Sequence, residues 1–191
     1  ELRKKNNAVL VELAAKSSPE ILWNQSFQPM ANAAITAAFA DRRTYVYQGK
    51  AIDQQDHLGF DMASVERAPI NSSNRGKVVL ARYFGIYGNA VVVDHGCGLM
   101  SLYGHLSSID VQEGQTVDRG QKLGSSGKTG LAGGDHLHFT YLLPASLLGL
   151  GYLVSTKARF GWKPTLRLAL AFVFGLAPVV AFNAIRFLPT D

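Results

Sequence analysis

The stretch Gly133-Gly134-Asp135-His136-Leu137-His138-Phe139-Thr140-Tyr141 decides how this chain is read. Phe139, Thr140 and Tyr141 favour a strand. Side chains on a strand alternate with period 2, so His136 and His138 point to one face. The Gly-Gly pair ahead of them supplies a turn. Two imidazoles adjacent on one strand face can bind a metal with one ring and handle protons with the other.

Upstream, the same grammar continues. Short β-branched or aromatic runs at 44–47, 77–83, 90–94 and 100–105 alternate with turns at Gly49-Lys50, Tyr87-Gly88-Asn89 and Gly96-Cys97-Gly98. Residues 111–124 repeat the pattern at the edge of the region. The spacing predicts a mainly β fold, an antiparallel sandwich or barrel-like domain over residues 33–143, rather than βαβ units. Residues 1–32 read as a helical and linker segment, with Leu2, Val9, Leu10, Leu13, Ala14, Ile21 and Leu22 recurring at spacings of three and four. Ser17-Ser18-Pro19 divides it into two short helices, Pro19 falling in the first turn of the second.

Residues 144–191 form an apolar, basic tail of helical character. Its run 168–185 is 18 residues long, bounded by Arg167 and Arg186, at the lower limit of about 17–25 residues for a membrane-spanning helix. Three readings follow: a membrane hairpin that would associate the chain with a bilayer, apolar helices packed on the domain, or foreign sequence joined by fusion or frame error.

The net charge of +5 is unevenly spread. Residues 1–138 carry 14 Lys and Arg against 13 Asp and Glu, whereas residues 139–191 carry five basic residues and only Asp191. No basic stripe with interleaved aromatics appears elsewhere, which excludes nucleic acid as a partner. Cys97 is the only cysteine, so an internal disulfide framework and a CxxC metal site are excluded.

Two further elements extend the histidine strand. The first is His57-Leu-Gly-Phe-Asp61. In extended backbone its ends would lie roughly 13 Å apart, too far to share an ion, so the segment must turn, and Gly59 permits that. The second is Ser101-Leu-Tyr-Gly-His105-Leu-Ser, a histidine at a strand end where Gly104 allows close backbone approach. Paired imidazoles with a carboxylate make up two neutral nitrogen ligands and one oxygen ligand, the set of a catalytic zinc whose fourth position stays open. His95, within Val-Val-Asp-His-Gly, reads as hydrogen-bonded in a turn or lining the cleft. Gly127-Lys128-Thr129 lacks the upstream glycine of a phosphate loop, and no G-x-S-x-G is present.

In that order, the HxxxD, Tyr-Gly-His and His-Leu-His motifs, with Val91-Val-Val-Asp-His-Gly and Gly120-Gln-Lys-Leu-Gly between them, resemble the LytM/lysostaphin-type zinc metalloendopeptidases. The resemblance spans about residues 33–141. It implies His57, Asp61 and His138 as ligands of one Zn²⁺ per chain, and His105 and His136 as the two catalytic histidines that are not ligands. It implies hydrolysis of peptide bonds in peptidoglycan stems or cross-bridges, with the peptidoglycan peptide as partner and the bacterial cell envelope, periplasmic or extracellular, as location. Tyr45, Tyr47 and Tyr103 are candidates to assist at the oxyanion. The loops 71–75 and 127–134 are candidates to set specificity. The alternatives are a catalytically silent relative acting as a cell-wall binding or activator module, and a membrane-anchored protein with an attached β domain.

Overall fold

Alternation along the strands decides where the core lies. In the computed structural model, which describes residues 1–142, helix α1 (Leu2–Ala15) precedes β1 (Ala34–Ala37), β2 (Arg42–Tyr47), β3 (Lys50–Asp56), β4 (Phe60–Ala63), β5 (Pro69–Asn71), β6 (Gly76–Tyr83), β7 (Asn89–Gly96), β8 (Leu99–Leu106), β9 (Ser108–Ile109), β10 (Thr116–Val117), β11 (Lys122–Ser125) and β12 (Leu137–Leu142). A 3₁₀ turn, Gly85–Tyr87, joins β6 to β7. Seven strands form one sheet in the order β1-β4-β12-β8-β7-β6-β10, three form a second in the order β5-β11-β9, and β2-β3 stand as a hairpin. Their pairings are antiparallel.

On β7, Val91 and Val93 enter one apolar cluster while Ala90 and Val92 enter another, so the central strand is buried on both faces. The first cluster joins the seven-stranded sheet to the three-stranded one through Ile70 on β5 and Leu123 on β11. This sandwich-like pairing matches the mainly β expectation. The second cluster takes Leu10 of α1 against Leu80, Val92, Met100 and Leu102.

The N-terminal segment departs from its expected form. No second helix forms within residues 17–32; residues 17–24 run alongside the β7–β8 turn instead. Cys97 N–H donates to Ser18 O at 2.6 Å, and Leu22 N–H donates to His95 O at 2.8 Å. Asp94 holds the entry, its carboxylate accepting from Ser17 Oγ at 2.6 Å and Ser18 N–H at 2.8 Å. These partners compete with the helical hydrogen bonds that a short Pro-initiated helix would make, and a helix so short is marginal by itself.

The strand that carries the histidine pair begins at Leu137, His136 standing just ahead of it in an isolated bridge to Gly127. Among the described residues no helix is long and apolar enough to cross a membrane. The readings of residues 144–191 lie outside the described residues.

Candidate metal centre

Strand order brings the distant motifs together. β12 lies between β4 and β8, with His138 directly opposite Asp61 on one side and Gly104 on the other. Directly opposed residues hold their Cβ atoms about 4.5–5.5 Å apart. His57 precedes β4 across a bend at Gly59, which returns its ring over Asp61. His57 Nε2, Asp61 Oδ1 and His138 Nδ1 form a triangle with sides of 3.0, 3.0 and 2.9 Å. All three residues are buried, and together they form a group able to hold a metal ion.

The tautomers are legible from the hydrogen bonds. His57 Nδ1 lies 2.9 Å from Ala38 O, which can only accept, so Nδ1 carries the proton and Nε2 presents a lone pair. Arg43 Nη2 donates to Asp61 Oδ2 at 2.7 Å, leaving Oδ1 to the triangle. Burial by itself would raise the Asp61 pKa, but the hydrogen bonds from His138 and Arg43 hold it well below the ordinary carboxylate range. Burial pushes His138 below its usual value, keeping it neutral. The donor set therefore fits a zinc ion: two neutral nitrogens and one carboxylate oxygen facing one point, with Ala38 O and Arg43 orienting the donors from outside.

His105 and His136 flank the triangle. Their ring centroids are 4.8 Å apart, and His105 is 5.9 Å from the His138 ring. Each bonds a backbone carbonyl through Nδ1, His105 to Thr129 O at 2.8 Å and His136 to Gly134 O at 2.9 Å. Both therefore present a bare Nε2; that of His136 lies 3.6 Å from Asp61 Oδ1. Burial pushes His105 down to about 4, so the ring is neutral near pH 7.

Simple alternation would send His105 into the core behind Tyr103. The β7–β8 register skips there, with Asn89 opposite Leu106 and Val91 opposite Tyr103, so β8 carries an extra residue. His105 takes φ +64° at this bulge, which re-aims its ring onto the site face. A left-handed conformation at a non-glycine residue is uncommon and tends to cluster at functional sites.

Several sequence expectations change here. Gly59 supplies the bend, but its φ lies outside the left-handed region. What requires glycine is space, since a Cβ there would sit 2.7 Å from Phe139 O and 2.8 Å from the His138 ring. Gly104 allows no unusual approach, because a Cβ there would make ordinary contacts of 3.4–3.5 Å. Tyr103 is a core residue, its hydroxyl accepting from Ser73 N–H at 2.8 Å and lying 2.9 Å from Ser73 Oγ and 3.0 Å from Ser101 Oγ. Tyr47 is exposed on the hairpin, whereas Tyr45 lines the cleft. His95 is fully buried on β7, bonded to Arg75 O and Ser101 Oγ at 2.8 Å each. The loop 71–75 is internal, with Ser72, Ser73 and Asn74 buried.

Three contributors went unread. Tyr87, taken only as part of a turn, packs its ring 5.5 Å from His138. Arg43 carried no signal beyond its charge. Thr129, set aside with a phosphate-loop fragment, orients His105 through its carbonyl, while its hydroxyl accepts from Asn89 N–H at 2.9 Å and donates to Leu106 O at 2.8 Å.

A family model described as Peptidase family M23 matches residues 55–144. Over 129 residues the chain is 36% identical to the peptidoglycan DD-endopeptidase ShyB of Vibrio cholerae serotype O1, covering 68% of this chain and 30% of that protein. Over 87 residues it is 44% identical to the peptidoglycan DD-endopeptidase ShyA of the same organism, covering 46% and 20%. Among solved structures, a putative peptidase M23 from Pseudomonas aeruginosa superposes with TM-score 0.57 and 32% identity, covering 74% of this chain and 60% of that one. A zinc-containing peptidase from Vibrio cholerae gives 0.53 and 36%, covering 63% and 36%. The chain thus spans less than a third of the length of these curated relatives.

Proposed function

We propose, from the premise that this chain carries a peptidase family M23 domain, that it is a zinc-dependent endopeptidase hydrolysing peptide bonds of peptidoglycan in the bacterial envelope. The observation that carries the reading is the 2.9–3.0 Å triangle of His57 Nε2, Asp61 Oδ1 and His138 Nδ1 beside two histidines with bare Nε2 atoms. Relatives named as peptidoglycan DD-endopeptidases support the substrate class.

His57, Asp61 and His138 would hold one zinc ion. When bound, that ion supplies Lewis acidity, lowering the pKa of water and polarising the scissile carbonyl. The remaining work falls to the chain. His105 or His136 accepts the proton of the attacking water at Nε2 and returns one to the leaving amine. The ring that has taken up this proton donates a hydrogen bond from Nε2 to the oxyanion as the tetrahedral centre forms, before the proton passes to the leaving amine. The carbonyls of Thr129 and Gly134 keep both rings in the required tautomer and direction.

Metal analysis of the purified chain, paired with clearing of cell-wall sacculi with and without chelator, tests the reading. His138→Ala loses both zinc and lysis, whereas His105→Ala loses lysis and keeps the metal. Lysis retained in either variant overturns the assigned roles.

A further inference from the structure

Part of the cleft wall comes from outside the family-matched region. Arg3 and Asn7, one turn apart on α1, face the cleft together with Arg43 and Tyr45 of the β2–β3 hairpin and Tyr87. The helix is held in place: Leu10 is buried in the second core cluster, and Asn6 Oδ1 accepts Ile86 N–H at 3.1 Å. That bond docks α1 on the same 3₁₀ turn that presents Tyr87 to His138. Arg3 forms no ion pair among the described residues; its guanidinium donates to the Tyr45 hydroxyl at 3.4 Å.

The acids of the cleft are already matched. Asp61 pairs with Arg43 at 2.7 Å and Asp56 with Arg42 at 2.9 Å. A divalent ion on the triangle would leave the cleft with excess positive charge, and among the described residues Arg3 is a cleft cation not engaged by an acid. An anion on the bound molecule would answer it, and a guanidinium suits a planar carboxylate because it can donate two parallel hydrogen bonds.

We propose that Arg3 is a specificity-determining residue that binds a free carboxylate of the substrate peptide, close to the bond that is cut. This rests on the peptidase reading above. Tyr45 positions the guanidinium, and Asn7 offers an amide one helical turn away.

The test uses the full chain loaded with zinc and three synthetic cross-linked peptide dimers. One is a free acid, one carries a carboxamide at the C-terminus, and one carries a carboxamide at the carboxylate neighbouring the scissile bond. Binding is followed by calorimetry and cleavage by chromatography. The free acid is expected to bind about tenfold more tightly than one of the amidated dimers, the effect of losing a charge-assisted hydrogen bond at a half-exposed site. Which amidation matters identifies the carboxylate. Arg3→Gln abolishes the preference, raising KM for the free acid to that of the amidated dimer, and Arg3→Lys retains part of it. An unmutated chain without a preference, or an Arg3→Gln chain that keeps it, overturns the proposal. Because binding is read separately, a preference seen without cleavage upholds the role of Arg3 and refutes the peptidase reading instead.

Discussion

Replacing Gly59 by alanine tests whether the bend between His57 and Asp61 exists to make room for the His138 ring. The added Cβ would sit 2.7 Å from Phe139 O and 2.8 Å from both Cε1 and Nε2 of His138. Phe139 lies in β12, paired with Phe60 on one side and Tyr103 on the other, so its carbonyl cannot easily retreat. The ring must tilt, or β4 must move away, and either motion opens the ligand triangle. Overpacking of this kind costs about 1–3 kcal/mol of stability. Displacing a ligand whose aim depends on its surroundings weakens metal affinity by about 10–100-fold. At fixed free zinc well above the dissociation constant, that weakening removes about 1.4–2.7 kcal/mol of zinc-induced stabilisation.

Competition against a chromophoric chelator gives the affinity, and urea unfolding with and without zinc gives the stability. Gly104→Ala is the internal control. It faces His138 from the other neighbouring strand, yet its Cβ would meet nothing nearer than 3.4 Å. It should leave zinc binding within about twofold, a difference of less than ~0.5 kcal/mol. Equal zinc affinity in Gly59→Ala and the unmutated chain, or a larger loss in Gly104→Ala, would refute the steric argument.

Other outcomes follow from the same geometry. Thr129→Val removes the acceptor for Asn89 N–H and the donor to Leu106 O; it should cost about 1–3 kcal/mol per unpaired group and reduce sacculus clearing by misdirecting His105, and undiminished clearing would contradict that positioning role. Tyr103→Phe leaves Ser73 N–H without its partner, so urea unfolding should register a loss of about 1–3 kcal/mol with the cleavage rate of the folded fraction unchanged; a slowed rate would restore Tyr103 to the chemistry. Burial holds His95 below its ordinary pKa, so the unfolded chain takes up that proton first. Its stability contribution is complete above about pH 6.5 and is lost progressively as pH falls below it. His95→Gln should flatten part of the urea-midpoint decline between about pH 7 and pH 5, and an unchanged slope would count against this. Chelation should lower the thermal midpoint of the unmutated chain and leave that of His138→Ala where it was; equal shifts would deny His138 a ligand role.

The strands at 77–83, 90–94 and 100–105 were legible because their alternation and flanking turns are local properties, and they coincide with β6, β7 and β8 to within a few residues. The weaker strands β1, β3 and β4 were not read. The first is a four-residue run, Ala34-Ile-Thr-Ala37, that is mostly exposed, as is β3, so neither advertises a buried face. The second short helix failed for the opposite reason, since distant groups on Asp94, His95 and Cys97 captured its backbone.

By itself the sequence determined the mainly β class and nominated His57, Asp61, His105, His136 and His138, because residue type and short spacing carry that information. Only the tertiary structure decided which of them meet. Strand order set His138 between Asp61 and Gly104, and no local pattern encodes which strands become neighbours. The bulge that turns His105 away from the core breaks the alternation from which its direction would have been inferred. Carbonyls of Ala38, Thr129 and Gly134 assign the tautomers, and a backbone carbonyl has no residue identity by which a sequence could announce it.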